Sequence, residues 1–239
     1  NRGLEVRTVP FAGLAASIDE SVDVVAFSLV QSSNGAVAEV EQIVGAARQA
    51  GAVTLVDATH AAGWFPFDPD HYDFVFVAAY KWLLCPRGVA FMVTKSDTDV
   101  PALNAGWYSG EDPWASIYGG PLRLASSARR FDTSPAWMAW VGAVPSLELI
   151  GSLGVDQIHA HDVGLANAVR EGLGLEASPS AIVTVPTADP TRLLAAGIKT
   201  AVRASGVRIG CHIHNSSADV DALLEVLGET LANGHSPRS

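Results

Sequence analysis

Positive charge is what this sequence has least of. Its 15 lysines and arginines face 25 acidic residues, for a net charge of −10 and a pI near 5.0, and no basic tract occurs anywhere. Nucleic acid and anionic membrane surfaces both reward clustered Lys and Arg, so neither is an expected partner. Cysteine is almost absent. Cys85 and Cys211 are too few for a disulfide framework, and a reducing cytoplasm is the expected compartment. Long apolar runs are missing as well, since Asp, Gly or Pro interrupts each one before it could span a membrane. Neither a secretory signal nor a methionine opens the chain. Asn1 starts in the middle of what reads as a domain, so upstream residues are expected.

Apolar side chains are plentiful, at 49% of 239 residues, which suffices for one large domain or two small ones. Residues 4–9 alternate apolar and polar as a half-buried strand does, and a turn and short helix follow to Glu20. Residues 22–30, VDVVAFSLV, suit a strand buried on both faces that empties into the polar turn QSSNG. In that turn Gly35 is expected at a positive φ. From Val37 to Ala50 the apolar positions Val40, Ile43, Val44 and Ala47 recur at helical spacing, and Gly51 can end the helix. Thr54 to Val56 then forms a strand ending at Asp57, which completes a βαβ unit and makes the sheet parallel there. A further strand, Phe74 to Ala78, ends just before Tyr80 and Lys81, and GVAFMV after CPRG is another. Arg87 in that CPRG turn is either an anchor behind the site or a solvated turn residue.

Ligands of open α/β sheets bind outside the carboxyl ends of the strands, where Asp57, His60 and Lys81 are expected to converge. An acid and a lysine in one apolar pocket suit pyridoxal phosphate chemistry, in which the lysine forms a Schiff base and the acid pairs with the pyridinium nitrogen.

The run DATHAAG followed by YKWLLCPRG resembles the class V aminotransferase family of fold-type I pyridoxal phosphate enzymes, which includes cysteine desulfurases, kynureninases and isopenicillin N epimerase-like proteins. The resemblance implies a mostly parallel sheet flanked by helices, its N-terminal part missing, followed by a small α+β domain. Residues 1–143 would belong to the large cofactor-binding domain and residues 144–239 to the small one. It further implies that Lys81 carries the cofactor, that Asp57 holds the ring nitrogen, and that His60 lies beside the ring near its phenolic oxygen. Tyr80 and Ser32 join the cofactor-binding set by the same resemblance, Ser32 sharing its position in the turn with Gln31. Ala78 departs from the desulfurase pattern, which has a serine there for the phosphate.

Two flanking segments extend the resemblance. RRFDTSPAW, residues 129–137, is similar to the family's RFExGTPN. It sets Ser134 and Pro135 at a helix N-terminus that serves the phosphate of a neighbouring subunit, which implies a homodimer. VRIGCHIHN is similar to the family's VRxSxHxYN, so Arg208 matches the arginine that binds the substrate α-carboxylate. The implied activity is that of a pyridoxal phosphate enzyme acting on a small amino-acid substrate, an aminotransferase or a carbon–sulfur or β-elimination lyase. A kynureninase-like hydrolase, an epimerase, or a non-catalytic member or fragment is the alternative. A desulfurase is not expected, because Ala181 to Arg208 holds no cysteine to receive sulfur.

The remaining segments are read from composition. Residues 96–121 form a long aromatic loop whose Trp107, Tyr108, Trp114 and Tyr118 wall a substrate pocket, close a subunit interface or pack on one another. Residues 136–154 form a helix apolar nearly all round, expected to be buried between domains. His159 and His161, two apart, fall on different helix faces and read as helix-start or surface residues rather than metal ligands. The tail reads strand, helix, strand, helix, with VRIGCHIH as one strand.

Overall fold

The computed structural model describes residues 3–95, 100–134, 136–186 and 188–233. Strands β1 (Val24–Ser28), β2 (Val53–Asp57), β3 (Phe74–Ala78) and β4 (Ala90–Thr94) form one sheet in sequence order. The first three are mutually parallel and β4 returns antiparallel. Helix α1 (Val40–Ala50) crosses from β1 to β2, buries Ile43, Val44 and Ala47, and ends at Gly51 with φ 72°. That is the αL position a helix terminus requires and a glycine tolerates without strain.

After β4 come the single turn α2 (Pro113–Ser116), the long helices α3 (Trp137–Leu153) and α4 (Val155–Gly172), then β5 (Ile182–Val185) and α5 (Pro190–Ala195). Strands β6 (Ala201–Arg203) and β7 (Gly206–Gly210) and helix α6 (Ser217–Asn233) complete the chain. The second sheet has the order β5-β7-β6, is antiparallel throughout, and packs Val183, Val185, Val207 and Ile209 against residues of α4, α5 and α6. The expected small α+β unit is therefore present. Helix α3 runs unbroken through residues 143 and 144, and Gly154, at φ 80°, separates it from α4, which departs at 83°. No single helix among the described residues is long and apolar enough to cross a membrane.

Four sequence expectations need correction. Residues 4–9 are not a strand: alternation alone gives no ladder without a partner, and they run as irregular, mostly exposed chain. Strand β1 is not buried on both faces, because Val25 and Phe27 face the core while Val24 and Ala26 are exposed. That open face continues across the sheet through Val53, Phe76 and Met92. Helix α3 buries Ala139, Ala143 and Ile150 but leaves Trp137 63%, Met138 84% and Val141 70% exposed, so an all-round apolar sequence has only one buried side. VRIGCHIH is extended only as far as Gly210, and its hairpin partner β6 is too short, at 3 residues, to carry a periodic signal.

Candidate active site

Asp57 is the last residue of β2, and its Oδ1 accepts the backbone N–H of Thr59 at 2.8 Å. This local carboxylate-to-backbone bond turns the chain as it leaves the sheet. The Thr59 hydroxyl then accepts the N–H of Ala78 at 3.0 Å, which ties the carboxyl ends of β2 and β3 together. A helical turn follows, closed by Ala61 and Ala62 N–H bonds to the Ala58 carbonyl, and it carries His60 into the interior. The Trp64 indole N–H fixes that turn by donating to the His60 carbonyl at 2.7 Å. Gly63, at φ 107°, brings the turn against the neighbouring loop: a β-carbon there would lie 2.9 Å from the Trp82 carbonyl oxygen.

Lys81 stands on a tight loop beyond β3. The N–H of Ala79 bonds to Val89 O and that of Cys85 to Ala79 O, both at 3.1 Å, and Leu84 takes a left-handed φ of 57°. From this loop the Lys81 amine reaches His60 Nε2 at 2.7 Å, while the Trp82 indole N–H lies 3.4 Å from His60 Nδ1. The indole N–H is directed at Nδ1, and Nε2 faces the lysine. Burial lowers the Lys81 pKa, Tyr80 and Asp57 oppose it, and the charges of Arg208 and Arg203 add to the lowering. Burial also pushes His60 down to about 4, reinforced by Lys81 and Arg208 and opposed by Asp57.

Arg208 approaches from the other sheet. From β7 its guanidinium donates to the Ser32 carbonyl at 2.6 Å and to the Ser32 hydroxyl at 3.1 Å. Gly35, at φ 77°, packs the same turn onto β5, where a β-carbon would fall 2.6 Å from Ile182 O. The turn after β1 is therefore clamped between the sheets. An open recess of about 430 Å³ lies beside it, lined by Ser28, Gln31, Leu55, Asp57 and Phe76 among others. Asp57, exposed at its rim, is what recess and lysine share, since its charge acts on both Lys81 and His60.

Asp57, His60, Lys81, Arg208 and Ser32 are thus brought to one end of the first sheet. Tyr80 is beside them, half-buried, with the Arg87 guanidinium 4.1 Å from its ring centroid and the Lys81 ammonium position 5.7 Å away. Arg87 is exposed yet stacked on Tyr80, so it is not merely a solvated turn residue. Ser134 is exposed and does not cap α3, whose N-cap is Ala136 without a side-chain bond; Pro135 lies outside the described residues. In the aromatic loop Trp107 packs on Tyr108 at 5.3 Å and near Trp114 at 6.1 Å, while Trp114 and Tyr118 keep most of their surface exposed. Residues 96–99 of that loop lie outside the described residues.

Sequence reasoning missed an aromatic seam behind His60. Trp82 stacks on His212 at 5.0 Å and lies tilted against Trp64 at 5.3 Å, and His214 stacks on His212 at 5.1 Å. His159, near the start of α4, is half-buried with its ring parallel to Trp64 at 5.8 Å. Asp162 of α4 is fully buried, with Oδ1 2.9 Å from His161 Nδ1 and its carboxyl pushed up to about 6 by burial. Burial also holds His212 down at about 4. A pH dependence follows. The unfolded chain protonates these two histidines near 6.5, so their contribution is complete above that value and is lost as pH falls through 4. Asp162 acts in the opposite sense, its contribution being present below 3.8 and lost as pH rises through 6, but its single shift is outweighed by the two histidines. Thermal melts should therefore drop by several degrees between pH 7 and pH 4.5. His212→Phe, which keeps a ring on Trp82, should reduce that slope, and an unchanged slope in the variant would remove His212 from the account.

Against known proteins, the model of the aminotransferase class-V family matches residues 5–193. A probable cysteine desulfurase of Mycobacterium leprae is 27% identical over 159 residues, covering 65% of this chain and 37% of its own length. The chain thus spans about two fifths of that relative. Among solved structures, the apo cysteine desulfurase of Thermococcus onnurineus superimposes with a TM-score of 0.76 at 22% identity, over 93% of this chain and 63% of that one. A cystine C–S lyase in complex with cysteine persulfide gives 0.79 at 20% identity, over 91% and 64%. These likenesses show the fold-type I architecture, with a mostly parallel sheet and flanking helices. With the family model matched over residues 5–193 and the acid, histidine and lysine gathered at the strand ends, the chain belongs to the aminotransferase class-V family.

Proposed function

We propose that this protein is a pyridoxal phosphate-dependent enzyme acting on an amino acid, as an aminotransferase or a carbon–sulfur or β-elimination lyase. The observation that carries the reading is a half-buried lysine amine 2.7 Å from a neutral histidine, with a carboxylate at the end of the adjacent strand. The residues fit the cofactor. Lys81 would take its aldehyde, Asp57 its ring nitrogen, and His60 its phenolic side, with Tyr80 and Ser32 at the margins of the site. Bound there, pyridoxal phosphate supplies an electron-withdrawing ring that stabilises negative charge at a substrate carbon.

The chain's own residues supply the rest. Burial lowers the Lys81 pKa, which favours the nucleophilic form of the amine, and the same amine is then placed as a base able to move the substrate's α-proton. Arg208 orients the substrate through its carboxylate, and burial of His60 under Trp82 and Trp64 keeps water from that side of the lysine. Sulfur transfer through a protein persulfide is not part of the reading. Cys85 and Cys211 are both buried, burial raises both thiols, Cys211 to about 11, and a protonated thiol is a poor nucleophile.

A homodimer in a reducing cytoplasm completes the reading. It is supported by the exposed apolar side of α3, Trp137, Met138, Val141 and Val144, which Ser134 adjoins in sequence. Sedimentation should give a dimer at micromolar concentration, and Val141→Lys should shift it toward monomer; a monomeric wild type would contradict this part. For the activity, titration with pyridoxal phosphate should produce an absorption band near the edge of the visible that borohydride removes. A protein that binds the cofactor without such a band would not be an enzyme of this kind.

A further inference from the structure

Strands β6 and β7 pair antiparallel with Ala201 opposite Arg208 and Arg203 opposite Gly206. Directly opposed residues share a face of the sheet, as do residues two apart on one strand. Arg203 is two from Ala201, so it projects from the same face as Arg208, at the diagonal position about 7 Å away. Arg208 on that face bonds to Ser32 in the turn after β1, and the hairpin's Ser205 hydroxyl donates to the Ser33 carbonyl of the same turn at 3.1 Å. The charges of both arginines act on Lys81 and His60, and that of Arg203 acts on Arg208.

In a chain of net charge −10, this places two arginines at one site, neighbours on one sheet face. Like charges so arranged repel, and the repulsion is relieved by anions bound between or above them. One arm of Arg208 is committed to Ser32. Arg203 is exposed and holds its own strand through a 2.7 Å bond to the Val202 carbonyl. The pair therefore offers two separate anion positions rather than one shared fork.

We propose that Arg203 is a specificity-determining residue that receives a second anionic group, so that the substrate is an amino acid whose side chain ends in a carboxylate or a comparable anion. Its α-carboxylate sits at Arg208 and its distal anion at Arg203. The proposal rests on the reading of Lys81 and Arg208 as an amino-acid site, and its test is chosen to be separable from that reading.

The full chain, without pyridoxal phosphate, is titrated with glutarate and with butyrate by nuclear magnetic resonance of backbone amides. Glutarate should bind at least tenfold more tightly than butyrate and should shift residues of both β6 and β7. Arg203→Gln should abolish the difference while leaving butyrate affinity unchanged, and Arg203→Lys should retain part of it. Because Arg203 is exposed, both variants are expected to fold, which circular dichroism checks. Equal affinities in the wild type, or a glutarate preference that survives Arg203→Gln, overturn the proposal. If Arg203→Gln instead weakens borohydride-trapped pyridoxal phosphate on Lys81 tenfold and leaves glutarate untouched, Arg203 serves the cofactor phosphate and the proposal is also overturned. A glutarate preference lost in Arg203→Gln, in a protein whose Lys81 takes up no pyridoxal phosphate, sustains the anion pair and refutes the enzyme reading alone.

Discussion

Lys81→Ala is expected to abolish the absorption band formed with pyridoxal phosphate and to reduce turnover of any amino-acid substrate to background. The reason is chemical rather than structural. Lys81 is half-buried, and its amine bonds to His60 rather than holding two elements together, so truncation removes a reactive group and one hydrogen bond. Lys81→Arg separates charge from chemistry. It places a cation near Tyr80 and Asp57, yet a guanidinium stays protonated and cannot condense with an aldehyde, so it should be as inactive as the alanine variant. Retention of the band in either variant would assign the cofactor to another amine. Melting temperatures within a few degrees of wild type would confirm that the loss is not one of folding.

Asp57→Asn should retain cofactor binding while turnover falls by on the order of 10²-fold or more, the scale seen when one electrostatic contact to a developing charge is removed. Asn keeps the shape of the side chain and still accepts the Thr59 N–H through its carbonyl oxygen, so the turn that leaves β2 persists. What it loses is the negative charge at the strand end, and with it the means of holding a proton on the ring nitrogen. The loss should appear in kcat with little change in cofactor affinity. An unchanged kcat would reduce Asp57 to a residue that only turns the chain. The same substitution removes a charge that favours protonation of His60 and Lys81, so the lysine pKa should fall further in the variant.

The parts of this site that could be read from sequence are those in which one segment carries the whole signal. Thr54 to Asp57 and Phe74 to Lys81 each show a β-rich run with a polar exit, and both strands end where the run ends. Gly35 and Gly51 mark positions that need a positive φ, and both have one. What stayed hidden depends on pairs of segments far apart in the chain. Trp82 reads as one more apolar residue after the lysine, and only the arrival of His212 from the second sheet makes it a seam behind His60. Arg203 gains meaning only when β6 is paired with β7, and Asp162 looks like an ordinary polar residue of α4 until the fold closes over it. The open sheet face was invisible for the opposite reason: an apolar strand sequence records that its faces are suited to burial, not which element covers them.

The chain has three lysines, Lys81, Lys95 and Lys199, which makes the central claim directly measurable. The full-length protein is mixed with pyridoxal phosphate, reduced with borohydride, digested and mapped by mass spectrometry. A site organised around the lysine beside His60 predicts one phosphopyridoxyl group per chain, on Lys81, formed at stoichiometric cofactor and lost in Lys81→Ala. Label on Lys95 or Lys199, label distributed over all three, or no label at saturating cofactor would contradict it.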